Sequence, residues 1–172
     1  MQGLYIQVKA YAAKCLLKLA WQRTLETRQK SKPWPWATSW PVARLRVPAK
    51  NVDMIVLSSD WRENMDFGSY RRTSACVVDE RGSVVISAQQ DGFAHKLNAL
   101  GAGDVLNIQM ADGGEHIFSV ADTQVVDEEA SIILDAKNPM LTLVTPYPCD
   151  DHTHASHLRF LLFAVRKPHI IL

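Results

Sequence analysis

The sequence predicts an all-β domain, a small closed or nearly closed β-barrel, preceded by one long helix. Three observations point there. Short runs rich in Val, Ile, Leu and Thr recur between residues 42 and 166 at a spacing of about 10–15 residues. Turn-forming groups separate them: Glu80-Arg81-Gly82, Gly101-Ala102-Gly103-Asp104 and Asp112-Gly113-Gly114. Within that region only Phe93–Leu100 has helical spacing, apolar at 93, 94, 97 and 100 and stopped by Gly101. A chain of 172 residues with 47% apolar content has room for one domain with a proper core.

The elements follow in order. Residues 3–21, GLYIQVKAYAAKCLLKLAW, carry no proline and no internal glycine, which predicts a helix. Its three lysines are too many for a comfortable bilayer span. Gln7, Lys14 and Lys18 share one face, Leu4, Tyr11, Cys15 and Leu19 are read as lying away from it, and only Lys9 breaks the pattern, so the expectation is an amphipathic helix in a membrane interface, with Trp21 near the head groups. Residues 22–32 continue as a polar, basic helix or linker. KPWPWATSWP (32–41) packs three tryptophans and three prolines into ten residues and predicts an extended, polyproline-like strap, the hinge between arm and domain.

Strands are expected at Val42–Val47, Val52–Leu57, Cys76–Asp79, Ser83–Ser87, Val105–Met110, Glu115–Val126, Ile132–Asp135, Leu141–Thr145 and Leu158–Arg166, with Leu141–Thr145 ending at Pro146. This divides the chain into an arm (1–31), a strap (32–41) and a barrel domain (42–172).

Charge is unevenly placed. Residues 1–50 hold ten Lys/Arg and one acid, Glu26; residues 51–172 hold nine Lys/Arg and seventeen acids. The basic arm suits an anionic surface such as lipid head groups, and the acidic domain argues against nucleic-acid binding. Three cysteines (Cys15, Cys76, Cys149) make no disulfide framework and no metal-ligand spacing. Cys15 and Cys76 read as small buried hydrophobes.

Four stretches, KPWPWATSWPVARLRVP, VVISAQQDGFAHKLNALGAGDVL, LTLVTPYP and HLRFLLFAV, stand in the order and register of one family. Through them the chain resembles the sortases, in particular the Gram-negative, class D-like branch. The resemblance implies an eight-stranded sortase-type barrel and a cysteine transpeptidase fold, with a membrane anchor that holds the domain outside the cytoplasmic membrane. It implies as partner the extended sorting signal of a surface protein. In such a site a strand-end cysteine attacks the scissile carbonyl, a histidine handles the leaving-group proton, and an arginine on the next strand steadies substrate and oxyanion.

Carried onto this chain, the pattern breaks at two of three positions. The strand that would end Thr-Cys-Tyr-Pro reads Thr145-Pro146-Tyr147-Pro148, and Gly-His-Arg-Asp corresponds to Ala88-Gln89-Gln90-Asp91. The nucleophile position is therefore Pro146 and the histidine position Gln89, while the arginine is retained as Arg159. Proline has no thiol, and glutamine cannot serve as acid or base near neutral pH.

Two other readings remain open. Cys149 lies three residues, or about 10 Å of extended chain, beyond Pro146, with odd parity that points it to the opposite face. An active enzyme would need it relocated beside a histidine such as His95. The loop Cys149-Asp150-Asp151-His152-Thr153-His154-Ala155-Ser156-His157 also gathers potential metal ligands, although no fixed zinc-type spacing is present. A solvated polar loop is the simpler reading, so neither metal nor cofactor is expected.

Overall fold

The computed structural model describes residues 2–37, 39–58, 75–78, 83–87, 92–127, 140–147 and 157–168. Helix α1 (Gln2–Thr27) precedes strands β1 (Pro41–Val47) and β2 (Val52–Ser58), which are joined by a short turn at Pro48–Lys50. There follow β3 (Ala75–Val78), β4 (Val84–Ser87), helix α2 (Gly92–Asn98), β5 (Val105–Met110), β6 (Glu115–Asp127), β7 (Met140–Tyr147) and β8 (Leu158–Arg166). The expected strand at Ile132–Asp135 lies outside the described residues.

The strands close into a barrel in the order β1-β2-β3-β4-β7-β8-β6-β5. Seven of them make up the wall proper. The four-residue β3 completes it across a thin seam, since β2 and β3 share only the pairs Leu57↔Ala75 and Ser58↔Cys76. β4 and β7 also run parallel, and every other neighbour pair is antiparallel.

Strict alternation drives this closure. In β1 the residues Ala43, Leu45 and Val47 are fully buried while Arg44 and Arg46 face out, the period-2 signature of a half-buried strand. The same parity in the other strands brings Val56, Ile86, Leu106, Ile108, Leu141, Leu143 and Leu162 together in one interior cluster. Leu97 and Leu100, in and just after α2, join that cluster, so the domain helix plugs one end of the barrel.

Polar order outside the core is local. Arg44 donates two hydrogen bonds to Asp53, at 2.8 and 2.6 Å, and Arg46 donates one to Glu115 at 2.8 Å. The bonds from Arg44 hold the Asp53 carboxyl below the usual carboxylate range, against partial burial, which pushes the other way.

The arm is helical, as expected, but not amphipathic. At 100° per residue Leu4 and Tyr11 fall within about 40° of Lys18, so apolar and basic side chains are interleaved rather than segregated. Leu4, Tyr5, Ile6, Val8 and Tyr11 are all between 61% and 72% exposed and spread over more than half of the helix circumference. Cys15 is exposed too, not buried. Only the last turns dock: Ala20, Trp21 and Thr24 are buried, and the helix meets β1 and β2. Its end is fixed a second way. Gly113, at φ +83° in the β5–β6 turn, leaves room for the Arg28 guanidinium, 3.4 Å from where a Cβ would stand.

The strap is not a continuous extended segment either. The Ala37 amide donates to the Trp34 carbonyl at 3.1 Å, closing a turn that buries Pro33 and Ala37 and leaves Trp36 81% exposed. Trp40 lies under the Lys30 ammonium at 4.5 Å, a cation–π contact.

Two outcomes follow. Leu143→Ala is expected to cost about 2–5 kcal/mol in urea unfolding, whereas Leu4→Ala should stay within about 0.5 kcal/mol; equal effects would contradict the division between packed barrel and exposed arm. Because the folded Asp53 carboxyl titrates below its unfolded value, its contribution is present above the unfolded pKa and lost as pH falls through the folded one. The pair is half exposed, so Asp53→Asn should remove less than about 1 kcal/mol near neutral pH, read as a flatter acid limb of stability against pH.

Candidate functional site

The site expected from sequence lies where β7 and β8 run out together. Their antiparallel register pairs Leu143 with Leu162, Thr145 with Phe160, Pro146 with Arg159 and Tyr147 with Leu158. Since Leu143 and Leu162 face the core, Pro146 and Arg159 share the opposite, outer face of the wall. They are direct cross-strand neighbours. The remaining registers extend that face sideways. Val126 of β6 lines up with Arg159, and the next row holds Gln124, Leu161, Val144 and Ser87. The row below holds Asp122, Phe163, Thr142 and Val85. The result is a largely apolar strip across β4, β7, β8 and β6, with a guanidinium at its upper end.

Proline does not end the strand, contrary to the reading of Leu141–Thr145. β7 continues through Pro146 to Tyr147. The reason is geometric. Among the described residues β4 pairs with β7 as far as Ser87, opposite Val144, and from Thr145 onward the described partner strand is β8. The carbonyl of Pro146 accepts a long hydrogen bond, 3.4 Å, from Asn98 Nδ2 of α2, and so points away from β8. In a strand the N–H and C=O of one residue point to the same side. The absent proline N–H would therefore also have pointed away from β8, and the ring costs the β7–β8 ladder nothing.

Asn98 makes a second bond at the same place. Thr145, 1% exposed, donates its hydroxyl proton to Asn98 Oδ1 in a short contact. One carboxamide thus serves two successive residues of β7. Beyond it the Tyr147 and Phe160 rings stack at 6.4 Å and 24°. Arg159 donates from Nη1 to the carbonyl of Leu158 at 3.0 Å, which lays the guanidinium along its own strand at the strip's edge. Thr142, wholly buried in the floor of the strip, has a hydroxyl with no hydrogen-bond partner among the described residues.

The structure therefore brings two of the three expected positions, Pro146 and Arg159, face to face. Gln89 lies outside the described residues, as do Asp91, Cys149, His152 and His154, although β4 delivers the chain to residue 87 in the same wall. His157 is exposed just before β8, and His95 is exposed on α2. Among the described residues no group of three or more His, Cys, Asp or Glu side chains is arranged to hold a metal ion. Asn98 and Thr145 were not singled out from sequence. Asn98 follows the helix's last buried leucine and reads there as an ordinary polar helix end.

A family model described as the sortase domain matches residues 45–167, well over half of the chain, and the chain belongs to the sortase family. Among solved structures it is similar to the sortase D5 transpeptidase of Clostridium perfringens, with 10% identity, a TM-score of 0.66, and 92% of this chain and 99% of that one covered. It is also similar to the lid mutant of sortase A from Corynebacterium diphtheriae, with 15% identity, a TM-score of 0.62 and coverage of 92% and 95%. A third likeness is to C. perfringens sortase C with the C-terminal cell wall sorting motif, with 12% identity, a TM-score of 0.60 and coverage of 93% and 90%. At these identities the likeness is one of fold. No curated protein matches.

The two buried threonines of β7 should respond oppositely to loss of the hydroxyl. Thr145→Val strands the Asn98 carbonyl and is expected to cost about 1–3 kcal/mol, while Thr142→Val, nearly isosteric, should be neutral or up to about 1 kcal/mol stabilising. Thermal unfolding of the two variants decides; a destabilising Thr142→Val would mean that its hydroxyl is engaged.

Proposed function

We propose that this chain is a class D-like member of its family that holds an extended peptide against the outer strip beside Arg159 and lacks the cysteine transpeptidase reaction. The observation that carries the reading is the pairing of Pro146 with Arg159 at the end of β7. In the family's chemistry a thiolate at that strand end attacks the peptide carbonyl, forms a thioester and releases an amine, with a histidine supplying the proton. A pyrrolidine ring offers no electron pair for that attack, and Gln89, at the position of the proton donor, has no proton to exchange near neutral pH. What the strip keeps is apolar surface from the half-buried Val126 and Val144, and the Arg159 cation. Those are the parts that bind a peptide rather than cut it.

The proposed ligand is the sorting signal of a surface protein, consistent with the sorting motif bound to C. perfringens sortase C. The proposed setting is the outer side of the cytoplasmic membrane. No described helix is long and apolar enough to cross a membrane. The arm instead exposes Leu4, Ile6, Val8 and Tyr11 among Lys9, Lys14 and Lys18, which suits contact with lipid head groups. A protein of this kind would shield or present a sorting signal to an active relative.

Wild-type protein incubated with sorting-signal peptides and an amine acceptor is expected to yield no cleaved or transferred product. The double variant Pro146→Cys/Gln89→His is expected to gain measurable turnover that Arg159→Ala then removes. Turnover by the wild type that disappears on Cys149→Ala would reject the proposal in favour of a relocated nucleophile.

A further inference from the structure

The bonds made by Asn98 carry a consequence for the cleft. Among the described residues the strand pairing of Thr145, Pro146 and Tyr147 is with β8. A side chain adds to that pairing: Asn98 accepts from the Thr145 hydroxyl and donates to the Pro146 carbonyl. Asn98 is itself well placed to stay still. It is the last residue of α2, next to Leu97, which is 1% exposed in the barrel core, and Leu100 beyond it is 4% exposed. The helix is thereby pinned to the interior, and the carboxamide is pinned to the helix.

Resting on the reading of this face as a peptide cleft, we infer that Asn98 is a positioning residue: it sets residue 146 opposite Arg159 and ties that spot to α2, the element that follows the Gln89 segment. It touches no ligand in this role. The Thr145 hydroxyl bond holds the strand at residue 145. The 3.4 Å bond to the Pro146 carbonyl orients the peptide unit.

A thiol placed at residue 146 reports its distance from the guanidinium. In the full chain carrying Pro146→Cys, alkylation of residue 146 by iodoacetamide is followed across pH by peptide mass spectrometry, which separates it from Cys15, Cys76 and Cys149. The Arg159 cation favours the thiolate, so the midpoint should lie below the ordinary thiol value. The other titratable groups at this end, Asp127, His157, His95 and Lys96, stay constant through the series. Adding Asn98→Leu should raise the midpoint by about one pH unit, and adding Arg159→Gln should raise it comparably. The two together should do no more than either alone. Asn98→Ser, too short to reach both partners, replaces the leucine variant if the latter loses its native circular dichroism spectrum, with the same shift expected. A midpoint unmoved by loss of Asn98, unmoved by Arg159→Gln, or fully additive in the pair overturns the inference. No peptide enters the assay, so failure of the wild type to bind sorting peptides would sink the functional reading and leave this result standing.

Discussion

The register between β7 and β8 is the constraint on which this structure rests. Side chains alternate with a period of two, so a slip of one residue would turn out of the core either Leu141 and Leu143 of β7 or Leu162 of β8, the second also driving Arg159 into an apolar barrel. Either change is prohibitive against the few kcal/mol that keep a domain folded. The packing of three leucines thus decides which face Arg159 occupies and what it faces. A functional arrangement follows from a requirement of the core, and it persists whether or not chemistry is done there.

That independence explains how the barrel accommodates proline at its most sensitive position. Proline lacks a backbone donor, yet that donor would have pointed toward Asn98 and away from β8, so the ladder between β7 and β8 stays intact. On the proposed reading, what proline changes is reactivity. Asn98 adds a bond to the strand end from the side away from β8.

Much of the barrel was legible in the sequence, and the misses have physical causes. VARLRV and VDMIVL alternate as half-buried strands must, and both became strands within a residue of the expected limits. The helix at Phe93–Leu100 was visible because Leu97 and Leu100 recur at helical spacing beside a terminating glycine. Pro146 as a strand terminator was the wrong inference, because whether a proline breaks a ladder depends on which side its nitrogen faces, a property of the partner strands. The bonds of Asn98 join residues 47 and 48 positions apart, and no local pattern encodes them. The arm misled differently: three lysines on a long apolar run suggest two faces, but only the angular positions show that Leu4 and Tyr11 stand beside Lys18. Cys15 followed it out to the surface.

The proposed account joins arm and strip: a barrel carried on an exposed helix, holding a peptide on its outer strip without a nucleophile at residue 146. The most direct test is intact-mass and peptide-level mass spectrometry of the wild-type chain after incubation with a sorting-signal peptide bearing a thiol-reactive warhead at the scissile position. The account expects reversible binding at the strip and no covalent adduct within residues 140–166. A stoichiometric adduct on Cys149 that forms only when Arg159 is present would contradict it.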